Sequence, residues 1–142
     1  MSKQIDPRGS RFGAAITTVV VATALVTLPS TTSYLLLGFQ LVAHALGAFV
    51  GLNVQPYGIL YRKLVQPRLG KPSELEDEAP PKFAQLVGFV FAAAALIALA
   101  VNQPGLAQII VALHLAASFL NAAFNFCLGC QMYLISKRII SN

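Results

Sequence analysis

Between Lys82 and Lys137 the chain reads FAQLVGFVFAAAALIALAVNQPGLAQIIVALHLAASFLNAAFNFCLGCQMYLIS, 54 residues without one Asp, Glu, Lys or Arg. A helix that crosses a bilayer needs roughly 20 consecutive apolar residues, so the stretch holds two spans and a turn. Asn102-Gln103-Pro104-Gly105 supplies the turn, since Asn, Pro and Gly favour bends over helix. It separates one expected helix over about 83–101 from another over about 106–135. Pro80-Pro81 stands just ahead of the first, where a missing N–H costs a helix little.

A second charge-free stretch, 50 residues long, lies between Arg11 and Arg62. Pro29-Ser30-Thr31-Thr32 divides it, giving expected helices over about 12–28 and 33–53 and a connecting loop over 54–82. Of the 142 residues, 56% are hydrophobic and 11% charged, against about 25% charged in soluble domains. The reading is all-α: a single four-helix transmembrane domain over 1–142. It excludes a secreted enzyme, a nucleic-acid binder and a disordered tail. The first apolar segment is not read as a cleavable signal peptide, because it lacks a small-residue cleavage site and turns directly into a second span.

All ten basic residues fall in the N-terminal tail, the central loop or the C-terminal tail, and neither short turn holds any. Cytoplasmic segments collect Lys and Arg, so both termini and the loop are expected in the cytoplasm, with the protein in the plasma membrane. The net charge of +5 then faces anionic lipid heads. Within the loop, Tyr57 to Leu69 alternates apolar with basic residues, which suits a segment lying in the interface. Glu74, Glu76, Asp77 and Glu78 follow as an acidic cluster, read as a solvated loop or a docking site.

The two halves can be overlaid. Arg11-Phe12 matches Lys82-Phe83 at an offset of 71, and His44 matches His114 at an offset of 70. Both halves start and end on one side, so the repeat would be two parallel helical hairpins about an axis along the membrane normal.

Gln40, His44, Gly47 and Gly51 share one face of the second helix, and His114, Ser118, Asn121 and Asn125 repeat that spacing on the fourth. Polar groups in hydrocarbon cost several kcal/mol each when unpaired, so both stripes should turn to the bundle interior and towards each other. The Gly47/Gly51 spacing allows close helix approach. Hydrogen-bonded packing is the plain reading of the histidines, a quinone or substrate contact the functional one, and bis-histidine haem a remote third. No cofactor is predicted outright.

Cys127-Leu128-Gly129-Cys130, the only cysteines of the chain, form a CxxC. The spacing serves dithiol–disulfide exchange or half of a metal site. A zinc site needs two further ligands and the histidines lie too deep, so no metal is expected. Reactive CxxC pairs usually occupy a helix N-terminus, whereas a continuous fourth helix puts these near a C-terminus, unless Gly129 interrupts it. A cytoplasmic pair is kept reduced, so a permanent disulfide is not expected. Cys130, nearer the cytosol, is the favoured nucleophile.

Ile5-Asp6-Pro7-Arg8-Gly9-Ser10-Arg11-Phe12, Tyr61-Arg62-Lys63-Leu64-Val65-Gln66-Pro67-Arg68-Leu69, Glu74-Leu75-Glu76-Asp77, Pro80-Pro81-Lys82-Phe83-Ala84-Gln85 and Phe126-Cys127-Leu128-Gly129-Cys130 together resemble a bacterial, largely actinobacterial, membrane family known as domain of unknown function 4395. The resemblance implies a multi-pass membrane protein without an established activity, and a thioredoxin-like or sulfurtransferase partner. On this reading the chain is a membrane accessory protein relaying electrons or sulfur through Cys127 and Cys130. The interior polar site would be Gln40, His44, His114, Ser118, Asn121 and Asn125. The alternatives are a structural or assembly subunit without chemistry, or a small-solute transporter. The small interior of such a bundle favours a homo-oligomer or larger complex among membrane lipids.

Overall fold

Proline and capping residues mark where the helices begin. The computed structural model describes residues 3–141. Helix α1 (Pro7–Val26) starts at Asp6, whose carboxylate caps the Arg8 N–H at 3.0 Å, with Pro7 in the first turn. Helix α2 (Thr31–Ala45) is extended by a π-turn over Leu46–Val50. The connection contains α3 (Pro56–Leu60), which runs through a second π-turn (Tyr61–Val65) into α4 (Gln66–Leu69). Helix α5 (Ala79–Ala100) takes Pro80 and Pro81 in its first turn, and α6 (Pro104–Phe124) begins on Pro104. Helix α7 (Leu128–Ser141) is the last of the described elements. With the π-turn counted into α2, helices α1, α2, α5 and α6 are each long and apolar enough to cross a membrane.

The sequence reading is corrected at three places. The fourth span is not one helix over 106–135. It ends at Phe124, where Asn125 turns left-handed (φ 55°) and the Phe126 N–H folds back onto Leu120 O at 3.2 Å. Asparagine tolerates that conformation better than other residues with a side chain, and it commonly closes helices this way. The second span stops at Val50, so Gly51 lies beyond it and only Gly47 serves close packing, against Gln85 and Gln55. The 54–82 connection is largely folded: Tyr57 and Tyr61 are buried, and Glu76–Asp77 (β2) pairs antiparallel with Gln4–Ile5 (β1).

Helix α1 packs along α6, and α2 along α5. The first helix of each half thus meets the second helix of the other, the pairing that a two-fold axis between the halves would produce. The end bearing the α1–α2 and α5–α6 turns holds the apolar core. There Ala24, Ala95, Ala98 and Ala107 let the backbones approach, and Val21, Leu37, Leu99 and Val111 fill the remaining space. Large apolar side chains such as Val19, Leu35, Ile97 and Ile109 point outward, which hydrocarbon accommodates.

At the opposite end Asp6 clamps the N-terminus to the connection. Its carboxylate accepts from Arg8 Nη2 at 2.9 Å, Tyr61 OH at 2.6 Å and Gln66 Nε2 at 3.2 Å, while Arg8 also reaches Gly70 O. Burial pushes the Asp6 carboxyl up, but the bonds from Arg8 and Tyr61 outweigh it and hold it down at about 2. Tyr61, buried and bonded to Asp6, is pushed up to about 12 and stays a donor. Because the Asp6 value is lowered on folding from 3.8, its stabilising contribution is complete above 3.8 and disappears as pH falls through about 2. Protection of the Glu76–Asp77 amides, taken relative to the intrinsic exchange rate at each pH, should therefore hold from neutral pH down to about 4 and fall towards 2. Asp6→Asn should show low protection throughout and lose this acid dependence. Identical profiles for the two proteins would contradict the clamp.

Candidate functional site

The polar half of the bundle is organised by Gln40, which is fully buried. Its amide oxygen accepts from the Tyr57 hydroxyl at 2.6 Å, which makes the amide nitrogen the donor end. That nitrogen serves Thr17 Oγ1 and His44 Nε2, each at 3.0 Å. His44 Nε2 is therefore an acceptor and its proton resides on Nδ1, which donates to Gln85 Oε1 at 2.9 Å. This tautomer is assigned from the polarity of its partners. His114 Nε2 lies 3.3 Å from the same His44 nitrogen and, facing an acceptor, carries the proton. Both imidazoles are neutral on this assignment, and α1, α2, α5 and α6 each contribute a member to one chain of bonds.

The assignment leaves His114 Nδ1 with a lone pair. That atom has no hydrogen-bond partner among the described residues, yet no buried side-chain nitrogen or oxygen among them is left orphaned. It must therefore open onto the cavity of about 300 Å³ that His114 lines. Phe91 stacks on the same imidazole, ring centres 5.6 Å apart and planes 17° from parallel. Gly88 admits the neighbouring ring: a Cβ there would stand 2.5 Å from His44 Cε1. Ser118 and Asn121 line the cavity too, whereas Asn125 is spent as the α6 cap and exposed.

The two cysteines close the other part of this cavity. They are joined as a disulfide, where the sequence reading placed a cytoplasmic pair kept reduced. The break at Asn125 also reverses the expected electrostatics. The pair stands at the N-terminus of α7, where backbone N–H groups are unsatisfied and the helix dipole favours negative charge. The Cys130 N–H donates to Cys127 Sγ at 3.1 Å. A thiolate at Cys127 would meet that donor, so the geometry favours Cys127 over Cys130 as nucleophile. Gly129 lets α7 press on α5, since a Cβ there would lie 2.6 Å from Ala84 Cα.

Tyr57, Gln85 and Thr17 belong to the site and were absent from the polar stripes read in the sequence. Gln85 alone left a trace, as a polar residue early in an apolar span. Haem does not fit the histidines as they stand. They bond each other directly and His44 uses both nitrogens, whereas axial ligation places one imidazole on each face of the porphyrin. Among the described residues no group of three or more His, Cys, Asp or Glu is placed to hold a metal ion.

Fold and site thus define a small all-α protein with four helices able to cross a membrane and a buried histidine pair that shares a cavity with a disulfide. The chain belongs to the family described as Domain of unknown function (DUF4395), whose model matches residues 5–138. No curated protein matches it, and no solved structure does.

Replacing Gln40 with Leu removes the partner of two other buried groups, the Tyr57 hydroxyl and Thr17 Oγ1. Each group left unpaired costs about 1–3 kcal/mol, so the variant should melt well below the parent in detergent or nanodiscs. An unchanged melting curve would contradict the network.

Proposed function

We propose that the protein is a membrane thiol–disulfide relay in which Cys127 and Cys130 cycle between dithiol and disulfide in exchange with a thioredoxin-like partner in the aqueous phase. The observation that carries this reading is the position of the pair. It stands at a helix N-terminus, with a backbone donor on Cys127 Sγ, on the wall of a cavity that also holds two neutral histidines. A disulfide serving only to staple α7 would need neither the donor nor the cavity.

The exchange conserves atoms and electrons. The Cys127 thiolate attacks the partner's disulfide and a mixed disulfide forms as one partner sulfur leaves. Cys130 then attacks Cys127 Sγ, so that the Cys127–Cys130 bond closes and the partner departs as a dithiol. The reverse sequence oxidises a partner dithiol and reduces the pair. Sulfane-sulfur transfer would begin instead with the Cys127 thiolate attacking the outer sulfur of a partner persulfide, which forms a Cys127 persulfide as the partner thiolate leaves. The termini and the cysteines belong to the cytoplasmic side on this proposal, because all ten basic residues lie at that end or in the connection.

Acid-quenching growing cells and tagging free thiols with a mass label reads the state of the pair. A mixture of dithiol and disulfide that shifts with added oxidant or reductant is expected, and Cys130→Ser should accumulate a mixed disulfide that Cys127→Ser does not. A pair fixed in one state under every treatment would overturn the proposal.

A further inference from the structure

A relay needs a second redox partner, and the cavity bears on what that partner is. Its volume, about 300 Å³, lies at the lower end of the range of about 300–1,000 Å³ typical of small-molecule sites. Most of its exposed lining is apolar, with His114, Ser118 and Asn121 among the polar side chains that reach it. Leu113 and Met132 belong to the lining and are about half exposed on the outer surface, so the cavity reaches the face that meets lipid. Inside, the flat Phe91 ring lies against His114. The His114 side chain is 5% exposed and keeps one nitrogen without a partner among the described residues. A nearly buried acceptor with no partner calls for a donor from the ligand.

We infer that the cavity is a site for a membrane quinone, bound most tightly as its hydroquinone, with one ring hydroxyl donating to His114 Nδ1 while the tail leaves past Leu113 and Met132. The inference rests on the relay reading, for which it supplies the oxidant. The Cys127 and Cys130 thiols lose two electrons and two protons as the S–S bond forms, and both quinone carbonyls become hydroxyls. Nothing is left over. The polarity of His114 matters for the direction of flow. A lone pair accepts from a hydroxyl and offers nothing to a carbonyl oxygen. Holding the hydroquinone more firmly than the quinone draws electrons from sulfur towards the ring.

The test is anaerobic titration calorimetry of the nanodisc-embedded protein with 2,3-dimethyl-1,4-naphthoquinone and, separately, with its hydroquinone. Saturable binding is expected, with the hydroquinone about fivefold tighter, the worth of one net hydrogen bond. His114→Phe keeps a flat ring but removes the acceptor, and should abolish the preference. Ser118→Leu fills the cavity and should weaken both forms at least tenfold. Melting curves establish that each variant is folded. If His114→Phe is not, the preference is read on Gln85→Leu, which frees the His44–His114 pair from α5 and should reduce it. Binding that is non-saturable or untouched by Ser118→Leu means that the ring merely dissolves in lipid, and overturns the inference. Equal affinity for the two redox forms overturns the assigned role of His114. Binding is read without turnover, and the state of the Cys127–Cys130 pair is read separately by thiol tagging of the parent protein. The outcome therefore separates this site from the relay: the pair can prove redox-inert while the site fills, or exchange with aqueous dithiols while the site stays empty.

Discussion

The buried polar network that joins the four long helices is built on the need to satisfy Gln40. A primary amide sealed among hydrocarbon-facing helices has two donors and an acceptor, and each left unpaired costs more than most packing contacts return. Thr17, Tyr57 and His44 meet that need from α1, α3 and α2. His44 carries the demand on to Gln85 of α5 and His114 of α6. Helices that gain nothing from burying leucine out of lipid are thus drawn together by hydrogen-bond arithmetic, and by close backbone approach where alanine and glycine stand.

The same arithmetic fixes the chemistry. Because the Gln40 nitrogen faces His44, the proton of His44 is held on the far side. The proton of His114 is held against His44, and one lone pair is left for the cavity. The left-handed Asn125 stops α6, the chain turns, and α7 begins with Cys127 just ahead of its first turn. Gly129 against Ala84 then brings the disulfide to the cavity wall. Three small local features, an amide orientation, an asparagine cap and a glycine contact, place a disulfide and a hydrogen-bond-accepting nitrogen around one space.

Much of this was legible in the sequence. Charge-free stretches of 50 and 54 residues with a proline turn in each leave little choice but four spans. The i, i+4 spacing of Gln40 with His44, and of His114 with Ser118, puts these residues on single faces. The helix break at Asn125 was not legible. Asparagine only tolerates the left-handed conformation, and an Ala- and Phe-rich context offers no other stop signal. The N-terminal setting of the cysteines was hidden with it. Thr17, Tyr57 and Gln85 were missed because their roles depend on which helices touch, and single-helix periodicity is silent on that. The folding of the connection onto Asp6 was equally out of reach, since the residues involved lie 55 or more apart in sequence.

The most direct test of the account is the reduction potential of the Cys127–Cys130 couple, measured by equilibrating the purified protein with glutathione buffers and counting free thiols. A relay pair at a helix N-terminus should fall between about −270 and −120 mV, the span of thioredoxin-like exchange proteins. A value below about −300 mV is that of a structural cross-link, and would contradict the claim that this bond exists to be opened.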